Sequence, residues 1–167
     1  MEDSVDRFLG QCVAASPGLD VSPANVVARL TRAARRLELG MKEHFAREDL
    51  ETWEFDTLAT LLRSNAEHTM CMKDLASASL LSSGALTNRM DRLVARGLVE
   101  RGPAPGNRRM VLVTLTEEGA RLTRSLLDGH IANKRRMLAG LTDDEQDQLA
   151  GLLRKLLISM GDVPDPE

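Results

Sequence analysis

The stretch from Ser82 to Gly119, SSGALTNRMDRLVARGLVERGPAPGNRRMVLVTLTEEG, admits few folds. At about 100° per residue, Leu86, Met90, Leu93 and Gly97 share one narrow stripe, which predicts a helix buried along that edge. Asn88 and Arg92 lie opposite, with Thr87 and Arg89 on the flanks. Gly97 suits the left-handed residue that closes a helix. LVERG then reads as a strand, and MVLVTLT as its alternating partner with Val111, Val113 and Leu115 on one face. Pro103, Pro105 and Gly106 break the chain between them, and Asn107-Arg108-Arg109 sits at the returning edge. A helix with hydrogen-bonding side chains fits the major groove of duplex DNA, and a thin arginine hairpin reaches the minor groove. The expectation is a winged helix.

Local charge agrees with that expectation. The whole chain of 167 residues carries a formal −3, which argues against a nonspecific nucleic-acid coat. Between Gly84 and Arg109, however, six arginines face only Asp91 and Glu100, so this span carries +4 and the remainder −7. An acidic body with one basic face fits sequence-specific docking. With one Trp, three Phe and no Tyr, aliphatic helix packing must supply the core.

Other function classes find little support. No apolar run approaches the roughly 18 residues of a membrane span, and no signal peptide is evident. Cys12 and Cys71 match no zinc or CxxC spacing, so a reduced, cytoplasmic setting is expected. His44, His68 and His130 are scattered, and no phosphate loop, metal cluster, nucleophile motif or paired-acid pattern is present. No catalytic residue, metal or cofactor is expected.

In chain order, residues 4–15 predict an amphipathic helix with Val5, Phe8, Leu9 and Cys12 on one side. Ser22-Pro23 reads as the cap and first turn of a helix reaching the region of Ala46. Thr52 is the expected cap of a third helix carrying Phe55, Leu58, Ala59 and Leu62 inward, and residues 73–78 form a small helix before the polar-faced one. That pair has the helix-turn-helix layout. Thr116 caps a long helix, and Thr142 with Glu145 makes a capping box for the last one. The end helices carry more apolar surface than a small core covers, which predicts an obligate homodimer. The fold class expected is mainly α with a small β-hairpin wing. The expected parts are residues 1–50 and 117–167 for dimerisation and 51–116 for DNA binding, within one compact domain.

These residues resemble the MarR family of bacterial transcription regulators. Members carry a wing D-x-R, alternating apolar residues and L-T-x-x-G, where this chain has N-R-R-M-V-L-V-T-L-T-E-E-G. The resemblance implies a minor-groove contact by Arg109, with Asn107 standing where the family has aspartate. A narrower resemblance is to the urate-responsive, PecS-like branch. It rests on the early helix, Trp53-Glu54-Phe55-Asp56, Ser83-Gly84 with Thr87-Asn88-Arg89, and His130 with Asn133 and Arg135. It implies an anion site using Asp56 and Arg101, with Trp53 nearby. Cys12 occupies the place of the branch's tryptophan, which turns the expectation from urate towards another small anion or an oxidant. Asp56 and Arg101 fit a structural ion pair equally well.

The expected function is a homodimeric repressor on a pseudo-palindromic operator, released by a small anionic, aromatic ligand. Ser83, Thr87, Asn88, Arg89, Arg92, Arg108 and Arg109 are the expected DNA contacts, and Asp56, Arg101, Cys12 and Trp53 the expected ligand residues. The alternatives are a repressor switched by oxidation of Cys12, and a winged-helix module that meets proteins without binding DNA.

Overall fold

Asp3 and Asp6 cap the first helix, α1 (Ser4–Ala15), by binding each other's backbone N–H. Arg29 of α2 (Ser22–Ala46) takes both carboxylates, at 2.9 Å to Asp3 and 2.6 Å to Asp6, which ties the two helices. The computed structural model describes residues 2–79 and 83–163, without the side chains of residues 79, 83–85 and 108. The expected turn at residues 80–82 lies outside the described residues.

Two expected caps are corrected. Ser22 is the first helical residue of α2, and the Asp20 carboxylate accepts its N–H at 2.9 Å. The cap position falls at Val21, which has no side chain able to accept, and the ionised Asp20 supplies a charge-assisted acceptor in its place. Likewise Thr52 is the first residue of α3 (Thr52–Ser64), and Glu51 stands at the cap, its N–H donating to Glu54 at 2.9 Å.

The chain continues through β1 (Thr69–Cys71), α4 (Met72–Ser79), α5 (Ser83–Ala95), β2 (Val99–Ala104), β3 (Asn107–Leu115), α6 (Glu117–Met137) and α7 (Asp143–Ser159). The expected hairpin is a three-stranded antiparallel sheet in the order β1-β3-β2. Its third strand, β1, pairs Cys71 with Leu112 and Thr69 with Thr114, whose hydroxyls meet at 2.8 Å. Along β3, Val113 and Leu115 are buried while Val111 is exposed, because the same face runs past the core towards the wing tip.

Packing divides the chain into two compact units, Met1–Leu126 and Leu127–Glu167. In the first, Leu58, Leu61, Leu75, Leu86, Met90 and Leu93 are wholly buried and make one core with Val99 and Val113. Each such side chain contributes about 1.5–3 kcal/mol on burial. A second cluster stacks the Phe45 and Phe55 rings 4.5 Å apart, with Leu50 and Leu126. In the second unit, Thr142 and Glu145 form the capping box of α7, and Leu152, Leu157 and Met160 on and after it stand 65, 49 and 74% exposed. No helix among the described residues is long and apolar enough to cross a membrane.

The start of α6 explains the L-T-x-x-G spacing. Thr116 donates its N–H to the Leu98 carbonyl at 3.1 Å and its hydroxyl to the Gly97 carbonyl at 2.8 Å, and accepts the Gly119 N–H at 3.0 Å. Gly119 then passes so close to Leu98 that a Cβ would lie 2.2 Å from its carbonyl oxygen and 2.9 Å from Leu115 Cδ1. Gly119→Ala is therefore expected to destabilise the protein by about 1–3 kcal/mol, overriding alanine's better helix propensity. Gly10→Ala, whose Cβ meets nothing within 4 Å in α1, is expected to stabilise by about 0.5–1 kcal/mol. Urea midpoints of the two variants check the pair.

Candidate nucleic-acid interface

Helices α4 and α5 form the helix-turn-helix, and the apolar stripe of α5 seats it: Leu86, Met90 and Leu93 are fully buried. Gly97, at φ +69°, closes the helix as Leu98 N–H returns to the Leu93 carbonyl at 3.0 Å. That seating leaves Thr87, Asn88, Asp91 and Arg92 exposed and Arg89 half-buried. The Ser83 and Arg108 side chains lie outside the described residues.

The recognition-helix arginines already have partners. Both Arg89 and Arg92 place their guanidinium groups over the Trp53 ring, 5.0 and 5.1 Å from its centroid. Arg92 also bonds Glu51 at 3.0 Å, and the Trp53 indole N–H donates to the other oxygen of Glu51 at 3.2 Å. Arg96, one turn further on, reaches Glu54 at 3.0 Å. The hydrogen bond from Arg92 is the main reason that the Glu51 carboxyl is held below its ordinary value of 4.5. Trp53 thus packs against two arginines of α5.

On the other flank of α5, Arg101 of β2 pairs with Asp91 at 2.8 Å. This corrects the expected ion pair between Arg101 and Asp56. Asp91 lies one turn after Thr87 on the flank that faces β2, so it meets Arg101 within the winged-helix unit itself. Asp56 is an exposed residue of α3.

The wing turns at Gly106, whose φ of +76° an L side chain rarely adopts. Asn107 Oδ1 accepts the Arg109 N–H at 3.1 Å, so the amide braces the backbone that carries Arg109. Between the wing and the helix-turn-helix runs a groove of about 1220 Å³, lined among others by Cys71, Lys73, Thr87, Arg101 and Arg109. Of the four expected ligand residues, only Arg101 lines it. Trp53 and Asp56 sit on α3, and Cys12 is half-buried on α1.

Comparison with known proteins gives this arrangement a family. The MarR family profile matches residues 48–110, from just before α3 to the wing. The HTH-type transcriptional regulator PecS of Dickeya dadantii is 33% identical over 140 residues, 84% of each chain. The multiple antibiotic resistance protein MarR of Escherichia coli is 34% identical over 119 residues, 70% of this chain and 80% of that one. The chain belongs to the MarR family. Among similar solved structures, a mutant MarR from E. coli complexed with operator DNA has a TM-score of 0.71 at 26% identity, covering 84% of this chain and 99% of that one. Bordetella bronchiseptica BpsR, described with its DNA binding regulated by 6-hydroxynicotinic acid, has a TM-score of 0.72 at 26% identity, covering 89% and 100%. As a MarR-family protein it is a DNA-binding transcription regulator and not an enzyme.

Sequence reasoning missed Glu51, Glu54, Asp91 and Arg96 in this MarR-family site. A signal was present: Arg89, Arg92 and Arg96 recur one turn apart, as do Glu51 and Glu54, so two helices carry opposite charges in matching stripes.

The Glu51–Arg92 contact sets a pH expectation. Because the folded carboxyl is held below its unfolded value, its contribution is fully present above 4.5 and is lost as pH falls through the depressed value. Trp53 emission is expected to stay constant as the pH falls from neutral to 4.5 and to change only below it. A fluorescence titration accompanied by circular dichroism, to confirm that the fold persists, checks this. A change centred near pH 6.5 would assign the response to a histidine.

Proposed function

We propose that this protein is a homodimeric repressor, with one winged helix per subunit reading a pseudo-palindromic operator in major-groove turns about 10 bp apart. The observation that carries this reading is the pairing of an exposed Thr87-Asn88 face with a wing whose Arg109 backbone is braced by Asn107. Thr87 and Asn88 read base edges and Arg109 enters the flanking minor groove, while Ser83, Arg89, Arg92 and Arg108 serve the phosphate backbone. The relative solved with operator DNA supports that docking.

Apolar side chains exposed on α1 and on α7, Phe8 and Leu152 among them, support a second subunit as their cover. In this reading residues 1–50 and 117–167 pair the subunits, and 51–116 carries the DNA contacts. A small aromatic anion in the groove beside Arg101 releases the operator. The cationic Lys73, Arg101 and Arg109 beside the apolar Met72, Leu86 and Val111 support this, as does the ligand named for BpsR. Trp53, Asp56 and Cys12 are the further residues assigned to the effector response. An effector acts only by binding the DNA-free state better, with a coupling of about 1–3 kcal/mol.

A mobility-shift titration tests this, using duplex selected from a random pool and repeated at several salt concentrations. Arg109→Ala is expected to weaken binding and to lower the slope of log K against log salt by about one for each wing. Unchanged affinity and slope would remove the wing from the interface. Absence of any preferred duplex would leave the protein-interaction module as the better account. Hydroxylated aromatic carboxylates added to the complex test release.

A further inference from the structure

Glu54 is 1% exposed, yet it carries a carboxylate. Its Oε2 accepts the Glu51 N–H at 2.9 Å and a hydrogen bond from Arg96 at 3.0 Å. Its Oε1 is buried, accepts no hydrogen bond, and faces Arg92 at 3.9 Å. Burying a carboxylate costs stability that a half-exposed arginine offsets only in part, so stability alone is a poor account of this residue. Its partners offer a better one. Three arginines from one stripe of α5 converge on the first turn of α3, with Arg96 on Glu54, Arg92 on Glu51 and Trp53, and Arg89 on Trp53. On the opposite flank of the same helix, Asp91 is held by Arg101 at 2.8 Å. Recognition helix α5 is therefore restrained about its own axis from two sides, by acids of α3 and by a base of β2. Rolling it towards either side loosens the other.

We propose that Glu54 is the positioning residue of the recognition helix. By holding Arg96 directly, and with its second oxygen 3.9 Å from the Arg92 guanidinium that Glu51 binds, it fixes the roll of α5 that aims Thr87 and Asn88 at base edges. The arginines on this flank serve orientation first and phosphate attraction second. Base readout demands a narrow range of distances and angles, whereas attraction to phosphate tolerates small rotations. A fault in roll therefore appears as lost discrimination with little loss of general DNA affinity. The proposal rests on the DNA-binding reading above.

The test uses the full-length protein and Glu54→Gln, which keeps the shape of the side chain and removes its charge. Three quantities are measured: affinity for the selected duplex, affinity for random duplex at the same salt, and emission of Trp53, the only tryptophan in the chain. The expected result is a selected-to-random ratio lowered about tenfold, the scale of one good base contact. Random-duplex affinity stays level or rises, and Trp53 emission shifts as Arg92 resettles. Arg96→Gln removes the same tie from its solvent-facing end and is expected to lower the ratio in the same way, whether or not Glu54→Gln folds. If the ratio is unchanged in both variants, or falls only in step with random binding, the positioning role is overturned and the DNA-binding reading stands. If the wild-type protein selects no duplex at all, both are overturned together.

Discussion

The carbonyl of Leu98 is the fixed point of the DNA-facing half of the molecule. It accepts the N–H of Thr116 at 3.1 Å, and Gly119 is drawn in over it with no room for a side chain. Four elements end or begin there: α5 closes at Gly97, β2 starts at Val99, β3 ends at Leu115 and α6 starts at Glu117. The wing and the recognition helix both run from this junction, which is held by a few backbone hydrogen bonds and by the close approach of Gly119, where a methyl group would not fit. Any ligand that alters the spacing of helix and wing has to act against this junction or bend the wing beyond it.

The basic face is less free than a count of arginines suggests. Arg92, Arg96 and Arg101 each meet a carboxylate, Glu51, Glu54 and Asp91 respectively, and Arg89 lies on Trp53. Of the six arginines between Gly84 and Arg109, Arg109 of the wing is exposed. A surface with its cations paired internally attracts DNA weakly from a distance and discriminates at contact. That division suits a regulator that must ignore an excess of nonspecific sites.

Sequence reasoning read local features well and partnerships poorly, for a physical reason. The α5 stripe, the closing Gly97, the Thr116 cap, the Thr142–Glu145 box and the helix at residues 4–15 are each written in neighbouring residues, since caps and periodicity act over one or two turns. Strand β1 has three residues, too few to show alternation, and exists because β3 offers it an edge. The expected caps Ser22 and Thr52 are each the first helical residue, one place after the cap positions Val21 and Glu51, and carboxylates of Asp20 and Glu54 accept the N–H groups there. Arg101 chose Asp91 over Asp56, and Arg92 chose Glu51, through distances set by tertiary packing. The family resemblance located the wing and the recognition helix correctly and carried no information about these pairs.

Asn107 has one further consequence. It braces the wing through a neutral amide bonded to the Arg109 N–H, where the family's usual residue is an ionised carboxylate. A neutral brace has no charge for counterions to screen and no proton to gain in acid. The brace that shapes the wing is thereby insulated from the ionic composition of its surroundings. In the docking proposed above, salt therefore acts on the encounter between wing and DNA and not on the amide that braces the wing.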